Sequence, residues 1–290
     1  DPTIVVKPVG TKRFIGGAGI VAAHAAGLGA KVNFISVAGN DSSYEFVEQK
    51  LSEFNVNSSV ILDDGRPTTV KQRFRSKEKT LLRVSHLHQS SISPSLQSVF
   101  LENVQSIINK VDLLVFSDFN YGCLPQSLVD QIKILAKKHN VMLAADSQSS
   151  SQIGDIARFN NMNLITPTER EARISTRNNE DGLVVLAERL RQHSSAGNIL
   201  LKIGEDGLLI HANNINGDGT WLTDRIGALN SIPRDVAGAG DSLLIGSALT
   251  LAQGGTIWDA ALIGSLAAAI QVGRVGNTPL KSKELLKELA

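Results

Sequence analysis

Asp112-Leu-Leu-Val-Phe-Ser-Asp118, the helical stretch from Gln126 to His139, and Val141-Met-Leu-Ala-Ala-Asp146 read in succession as strand, helix and strand. The helix puts Leu128, Ile132, Leu135 and Ala136 on one face. The pattern continues: Asn163-Leu-Ile-Thr-Pro167 is a strand, Gly182 to His193 a helix, and Asn198-Ile-Leu-Leu-Lys202 and Gly207-Leu-Leu-Ile-His211 are strands. Near-continuous apolar strands alternating with amphipathic helices predict a mostly parallel sheet covered on both faces. Ligands of such sheets sit outside the carboxyl ends of the strands. Polar residues collect there: Asp118, Asn120, Asp146, Thr166 to Glu171, and Lys202.

Outward from this core the pattern changes. Ala18 to Leu28 reads as a small-residue helix, Lys31 to Val37 as a strand and Tyr44 to Phe54 as an amphipathic helix. Three β-type stretches follow without intervening helices: Ser58 to Leu62, Thr68 to Arg75 and Thr80 to Ser85. With the opening Thr3 to Lys7 they predict a small antiparallel lid standing off the main sheet. The last third is helical: Ala239 to Gln253, closed by Gly254-Gly255, then Trp258 to Val272 and Ser282 to Leu289. The expectation is one domain over residues 1–290, with lid strands from about 1–13 and 58–86.

Composition narrows the partners. Of 290 residues, 42% are hydrophobic and 20% charged, and the formal charge is +1, without the basic excess that nucleic acid or anionic membranes demand. The single cysteine, Cys123, cannot close an internal disulfide. The longest apolar stretch, Ala260 to Val272, is interrupted by Ser265 and Gln271 and too short to span a bilayer. No charged-then-apolar leader opens the sequence, so a cytoplasmic protein is expected.

The strongest chemical signal is Asp235-Val-Ala-Gly238-Ala239-Gly240-Asp241, directly before an apolar helix. Glycines and an alanine at a helix start let backbone amides approach an anion where the helix dipole is positive. Such a cradle suits a migrating phosphoryl group, and the adjacent Asp241 can accept a proton from an attacking hydroxyl. The competing reading makes Asp241 a helix cap and the glycines a tight turn. A strand from Thr69 to Arg75 places Thr69, Lys71, Arg73 and Arg75 on one face, a ladder that reads either as a phosphate-binding lid or as a solvated edge. Gly17-Ala-Gly19-Ile-Val-Ala22 also fits a dinucleotide fingerprint, with Asp41 as the ribose acid, but the polar Gly10 to Ile15 that leads into it is no buried strand.

The Asp-x-x-Gly-Ala-Gly-Asp element resembles the hallmark of the PfkB-type, ribokinase-like carbohydrate kinases. Gly16-Gly17-Ala18, Gly39-Asn-Asp41, Thr166-Pro167-Thr168-Glu169-Arg170-Glu171 and Lys202-Ile-Gly204-Glu-Asp-Gly207 extend the likeness over nearly the whole chain. Pro67-Thr-Thr-Val-Lys71-Gln-Arg73, Leu82-Arg83 and Ser117-Asp118-Phe-Asn-Tyr-Gly122 make it most similar to heptose 7-phosphate kinases, the kinase half of ADP-heptose synthase. The resemblance implies a three-layer α/β/α sandwich with a mostly parallel central sheet and a small β lid. It implies ATP-dependent phosphoryl transfer to a hydroxyl of a sugar or sugar phosphate, with Mg²⁺ and, as an open point, a monovalent cation. By the same resemblance Asp241 is the base and Gly238, Ala239 and Gly240 form the anion hole. Asp235, Lys202, Gly204, Gly207, Glu171 and Asn277 lie along the nucleotide, with Glu171 reaching the metal through water. Gly16, Gly17, Asp41, Lys71, Arg73 and Asp118 lie along the sugar. The lid's exposed strands offer a homodimer surface.

Departures from the family pattern bear on the substrate. Ile20 stands where the family has a sugar-binding Asn, Thr168 where it has another Asn, and Asp146-Ser147-Gln148 where the heptose kinases have Asp-Pro-Lys. No counterpart of the family's first core strand precedes Gly16. These changes leave the sugar open and keep a second reading alive, a member that binds nucleotide or sugar with little turnover. A dinucleotide oxidoreductase is the remote third.

Overall fold

The computed structural model describes residues 5–7, 9–76, 79–149, 154–213 and 220–289. Helix α1 (Ala18–Gly27), strand β1 (Val32–Ala38), helix α2 (Ser42–Glu53) and strand β2 (Val56–Leu62) open the fold. A hairpin of β3 (Val70–Ser76) and β4 (Lys79–His86) follows, then α3 (Pro94–Ile107), β5 (Leu113–Asp118), α4 (Gln126–Lys138), β6 (Met142–Ser147) and the two-residue β7 (Leu164–Ile165). Helices α5 (Glu169–Thr176) and α6 (Leu183–Ser194) lead to β8 (Asn198–Lys202), β9 (Leu208–Ala212) and β10 (Leu222–Ile226). Three helices close the chain: α7 (Ala239–Ala252), α8 (Ile257–Val272) and α9 (Ser282–Leu289).

Strands β5, β6, β7 and β8 pair in parallel, and β9 and β10 extend the sheet antiparallel beyond β8. Period-two alternation divides each strand between two apolar layers. Leu143, Ala145, Ile165, Ile199 and Leu201 pack with Val104 of α3, Ile132 of α4 and Leu186 of α6. Ala144, Leu164, Leu200, Leu208 and Ile210 pack with Val21 of α1, Leu244 and Ala248 of α7 and Ala261 of α8. The result is the expected α/β/α sandwich, and it carries the carboxyl ends of β5, β6 and β8 to one edge.

The lid differs from the sequence expectation. Ser58 to Leu62 joins no antiparallel lid; as part of β2 it pairs in parallel with β1, Val32 opposite Val56. The reason is burial: Val56 and Val60 join the cluster of Ile20, Phe34 and Leu51, so a β-α-β unit outcompetes a hairpin. Only β3 and β4 form the antiparallel hairpin. Of the expected opening strand, Thr3 and Ile4 lie outside the described residues, and Val5 to Lys7 form no strand. Val5 is 89% and Val9 99% exposed, so neither gains the cross-strand packing that would hold a strand there. Among the described residues no strand lies between β1 and β5. Both border one cavity of about 3300 Å³ that runs to the carboxyl ends of the sheet.

Helix α7 is fixed from behind by α8. A Cβ on Gly264 would lie 2.1 Å from Ser247 Oγ and 2.9 Å from Leu243 O, so the helices meet almost backbone to backbone. Ser247 Oγ also donates to Ala260 O at 2.8 Å. Gly264→Ala should therefore force α8 away from α7 and lower stability by about 1–3 kcal/mol. Chemical denaturation reads this directly, and an unchanged midpoint would refute the close packing.

Candidate active site

Gly238 ends the turn before α7 with φ 83°, a left-handed conformation that glycine adopts without strain. No side chain caps α7, which disposes of the reading of Asp241 as a helix cap. Gly238, Ala239, Gly240 and Asp241 instead line the cavity, with the helix's first turn facing it. Asp235 braces the turn by accepting from Ala237 N at 3.1 Å and Gly276 N at 3.3 Å. It also pairs with Arg75 Nη1 of the lid at 2.8 Å, so the hairpin is latched to the anion turn.

Asp241 is buried, and Gln148 Nε2 donates to its Oδ1 at 3.0 Å. Burial and the nearby Asp146 charge push its carboxyl up to about 7, against Lys202, Lys71 and the Gln148 hydrogen bond. Lys202, at the carboxyl end of β8, donates to both oxygens of Asp146 at 3.0 and 3.2 Å. Burial opposes the lysine's charge, but Asp146, Glu171 and Asp241 outweigh it and hold the ammonium above its ordinary range. A Cβ on Gly240 would lie 3.1 Å from Lys202 Nζ, so the lysine passes in tight contact with the first turn of α7.

Glu171 is buried at the start of α5 and closes a capping box with Thr168. Its Oε2 accepts from Thr168 N at 2.8 Å and its Oε1 from Ser149 N at 2.9 Å. Gly204 (φ 67°) and Gly207 (φ 95°) shape the one-turn 3₁₀ segment after β8, and both line the cavity. A Cβ at Gly207 would strike Ile226 O at 2.1 Å. Asn277 is set between the two glycine elements: its Nδ2 donates to Ile15 O at 3.2 Å, and a Cβ on Gly238 would lie 2.9 Å from its Oδ1.

On the sugar side, Gly16 and Gly17 lead into α1, with Gly17 at φ 57° beside the Phe119 ring. Among the described residues no strand leads into them, whereas a dinucleotide fingerprint needs one. Lys71 Nζ lies 5.3 Å from the Phe119 ring centre and 5.2 Å from that of Tyr121. Arg73 stands directly opposite Arg83 across the hairpin. Two named residues have their carboxylates bound by the protein itself. Asp41 Oδ1 caps α2 through Ser43 N and Tyr44 N, and its Oδ2 accepts from Thr68 N. Asp118 Oδ2 pairs with Arg158 Nη2 at 2.7 Å while its Oδ1 holds Asn120 N at 3.0 Å. Ile20 is wholly buried in the α1–α2 cluster. The sequence reading gave no role to Gln148 or to Asp146 as the partner of Lys202; the position of Asp146 at the end of β6 was the available signal.

The profile of pfkB family carbohydrate kinases matches residues 2–283. The chain belongs to the PfkB family. It is therefore a carbohydrate kinase, of a family that uses ATP and a divalent metal. It is 28% identical over 292 residues to the bifunctional protein HldE of Desulfatibacillum aliphaticivorans, covering 99% of this chain and 58% of that one. It is 30% identical over 277 residues to HldE of Pseudomonas aeruginosa, covering 93% and 54%. The chain thus spans a little over half the length of the curated relatives it matches. In fold it resembles phosphofructokinase-2 from Escherichia coli in complex with potassium (TM-score 0.77, 16% identity, 98% and 91% covered). Ribokinase from Thermotoga maritima superposes similarly, with TM-score 0.76, 18% identity and 100% and 92% covered. No helix among the described residues is long and apolar enough to cross a membrane.

Because Asp241 titrates near 7 when folded and near 4 when unfolded, the native state binds the extra proton between those values. Its contribution to stability is therefore present at acid pH and is lost as pH rises from about 4 to about 7. Urea denaturation across this range should show wild type losing stability relative to Asp241→Asn as pH rises, whereas parallel curves would contradict the assigned burial and charge.

Proposed function

We propose that the chain phosphorylates a hydroxyl of a sugar phosphate, in the manner of a heptose 7-phosphate kinase, with Asp241 as base and Gly238, Ala239 and Gly240 as anion hole. The observation that carries this reading is the buried Asp241 carboxyl, held by Gln148 beside an uncapped helix start. The γ-phosphoryl group lies over the first amides of α7. The acceptor oxygen attacks phosphorus, its proton passes to Asp241 Oδ2, and the bond to the β-phosphate oxygen breaks, its electron pair leaving on ADP. A base poised near pH 7 is half ionised at working pH, which suits this transfer.

The nucleotide runs from the anion turn toward Lys202, Gly204 and Gly207, with Asp235 and Asn277 holding the turn. No cluster of three or more His, Cys, Asp or Glu among the described residues closes on one point. Mg²⁺ keeps waters and binds chiefly through nucleotide phosphates. Glu171, whose two oxygens each accept from a backbone amide, would reach the metal through water. When bound, the metal neutralises phosphate charge and orients the β- and γ-oxygens.

The sugar phosphate lies under the hairpin against Gly16 and Gly17. Lys71 and Arg73, two residues apart on β3, both line the same cavity and offer it two cations for the substrate phosphate. Asp41 and Asp118 serve by ordering the lid root and the loop after β5. The hairpin also exposes Val70, Leu81 and Leu82, apolar surface that fits a second copy of this chain. Ile20 and Thr168 in place of two Asn, and Gln148 in place of a Lys, favour one competing reading, a member that binds ligands with little turnover.

ADP release over a panel of sugars and sugar phosphates separates the two. Turnover with a sugar phosphate, reduced at least about 10³-fold by Asp241→Asn, supports the kinase. ATP binding without ADP release on any acceptor would establish the alternative. Lys71→Met and Arg73→Met should each raise the KM for the sugar phosphate by about tenfold or more while leaving the KM for ATP unchanged.

A further inference from the structure

Gln148 can bond Asp241 but brings no positive charge to the phosphates. The described residues supply that charge from another strand. Lys202 reaches from the end of β8 across Gly240, its Nζ 3.1 Å from where a Cβ would stand. Its partner Asp146 is held at the end of β6, and the bond spans both carboxylate oxygens. Both side chains are nearly closed to solvent, 15% and 3% exposed. A purely structural ion pair has no reason to lie across the glycine of an anion cradle. A buried lysine facing Asp146, Glu171 and Asp241 is also surrounded by more negative charge than it can neutralise. A phosphate on the cradle would lie within reach of the same ammonium, which passes beside Gly240.

Resting on the kinase reading above, we propose that Lys202 is the catalytic cation of the phosphoryl site, with Asp146 as its positioning residue. Asp146 holds the ammonium beside the cradle until nucleotide binds. The ammonium then swings over Gly240 onto the γ-phosphoryl oxygens, where it offsets charge as the bond to the β-phosphate oxygen breaks. A side chain at 240 would press on the lysine where it passes. The groups that face Asp241 and share its charge balance are Asp146 from β6, Lys202 from β8 and Lys71 from β3, with Glu171 of α5 acting on the Asp146–Lys202 pair.

The test compares Lys202→Met, Lys202→Arg and Asp146→Asn in the full chain. Removal of one such transition-state donor lowers kcat by about 10²–10³-fold. Lys202→Met should show that loss with the acceptor KM unchanged, and Lys202→Arg should recover part of it. Equilibrium titration supplies a reading independent of turnover: Lys202→Met should weaken a non-hydrolysable ATP analogue about tenfold or more and leave AMP unchanged. The pH profile adds a signed check. Losing the Lys202 charge moves the acid limb of kcat to higher pH, whereas Asp146→Asn, which removes a neighbouring negative charge, moves it lower. Lys202→Met with wild-type analogue affinity and kcat would overturn the proposal while leaving the base assignment standing. Loss of stability with no change in the analogue-to-AMP ratio would reduce Lys202 to a structural role. If Asp241→Asn keeps full activity, the kinase mechanism itself is wrong, whatever Lys202 does.

Discussion

Asp146, Glu171 and Asp241 share a buried edge of the sheet with the ammonium of Lys202. Burial, and the negative charge beside each, make Asp146 and Asp241 resist ionisation, and that charge would oppose an anion at the neighbouring helix start. The scaffold holds them there regardless. Asp146 ends a strand buried on both faces, Glu171 is fixed by its capping box, and Asp241 rides on a helix wedged against α8. Burial, with the Asp146 charge behind it, brings the Asp241 carboxyl up to about 7, which suits the base role proposed for it.

The lid belongs to the same arrangement. Gly39 lets the chain at Arg66 to Thr68 approach within a Cβ's width, and Asp41 takes the Thr68 amide, so the hairpin is rooted at the carboxyl end of β1. Its far side is latched by Arg75 to Asp235 on the anion turn. Between these points Lys71 rests against Phe119 and Tyr121, close enough for its charge to act on Asp241. The position of the hairpin and the charge around Asp241 are thereby linked, an arrangement that in the proposed kinase would favour transfer to the sugar over loss of ATP to water.

Local patterns in the sequence were enough for the sheet, its crossover helices and the anion turn, because apolar periodicity and a glycine-rich helix start are local signals. Contacts across long separations were not legible. Gln148 and Asp241 are 93 positions apart, and Asp146 and Lys202 are 56 apart. Ser58 to Leu62 misled for a related reason, since a β-type stretch does not reveal whether its partner lies before or after it; burial of Val56 and Val60 decided for β1. Helix α5 hid within the polar Thr166 to Glu171 stretch, although Thr168 and Glu171 carry the capping-box spacing that could have exposed it. Asp118 drew attention as a polar group at a strand's carboxyl end and Asp41 through the Gly-x-Asp likeness, and the partners each carboxylate has within the chain were not legible.

All of this depends on where the transferred group sits. A crystal structure with a non-hydrolysable ATP analogue and a sugar phosphate should place the terminal phosphate within hydrogen-bonding distance of the Gly240 and Asp241 amides, with the acceptor hydroxyl on Asp241. A terminal phosphate bound away from the turn before α7 would contradict the account.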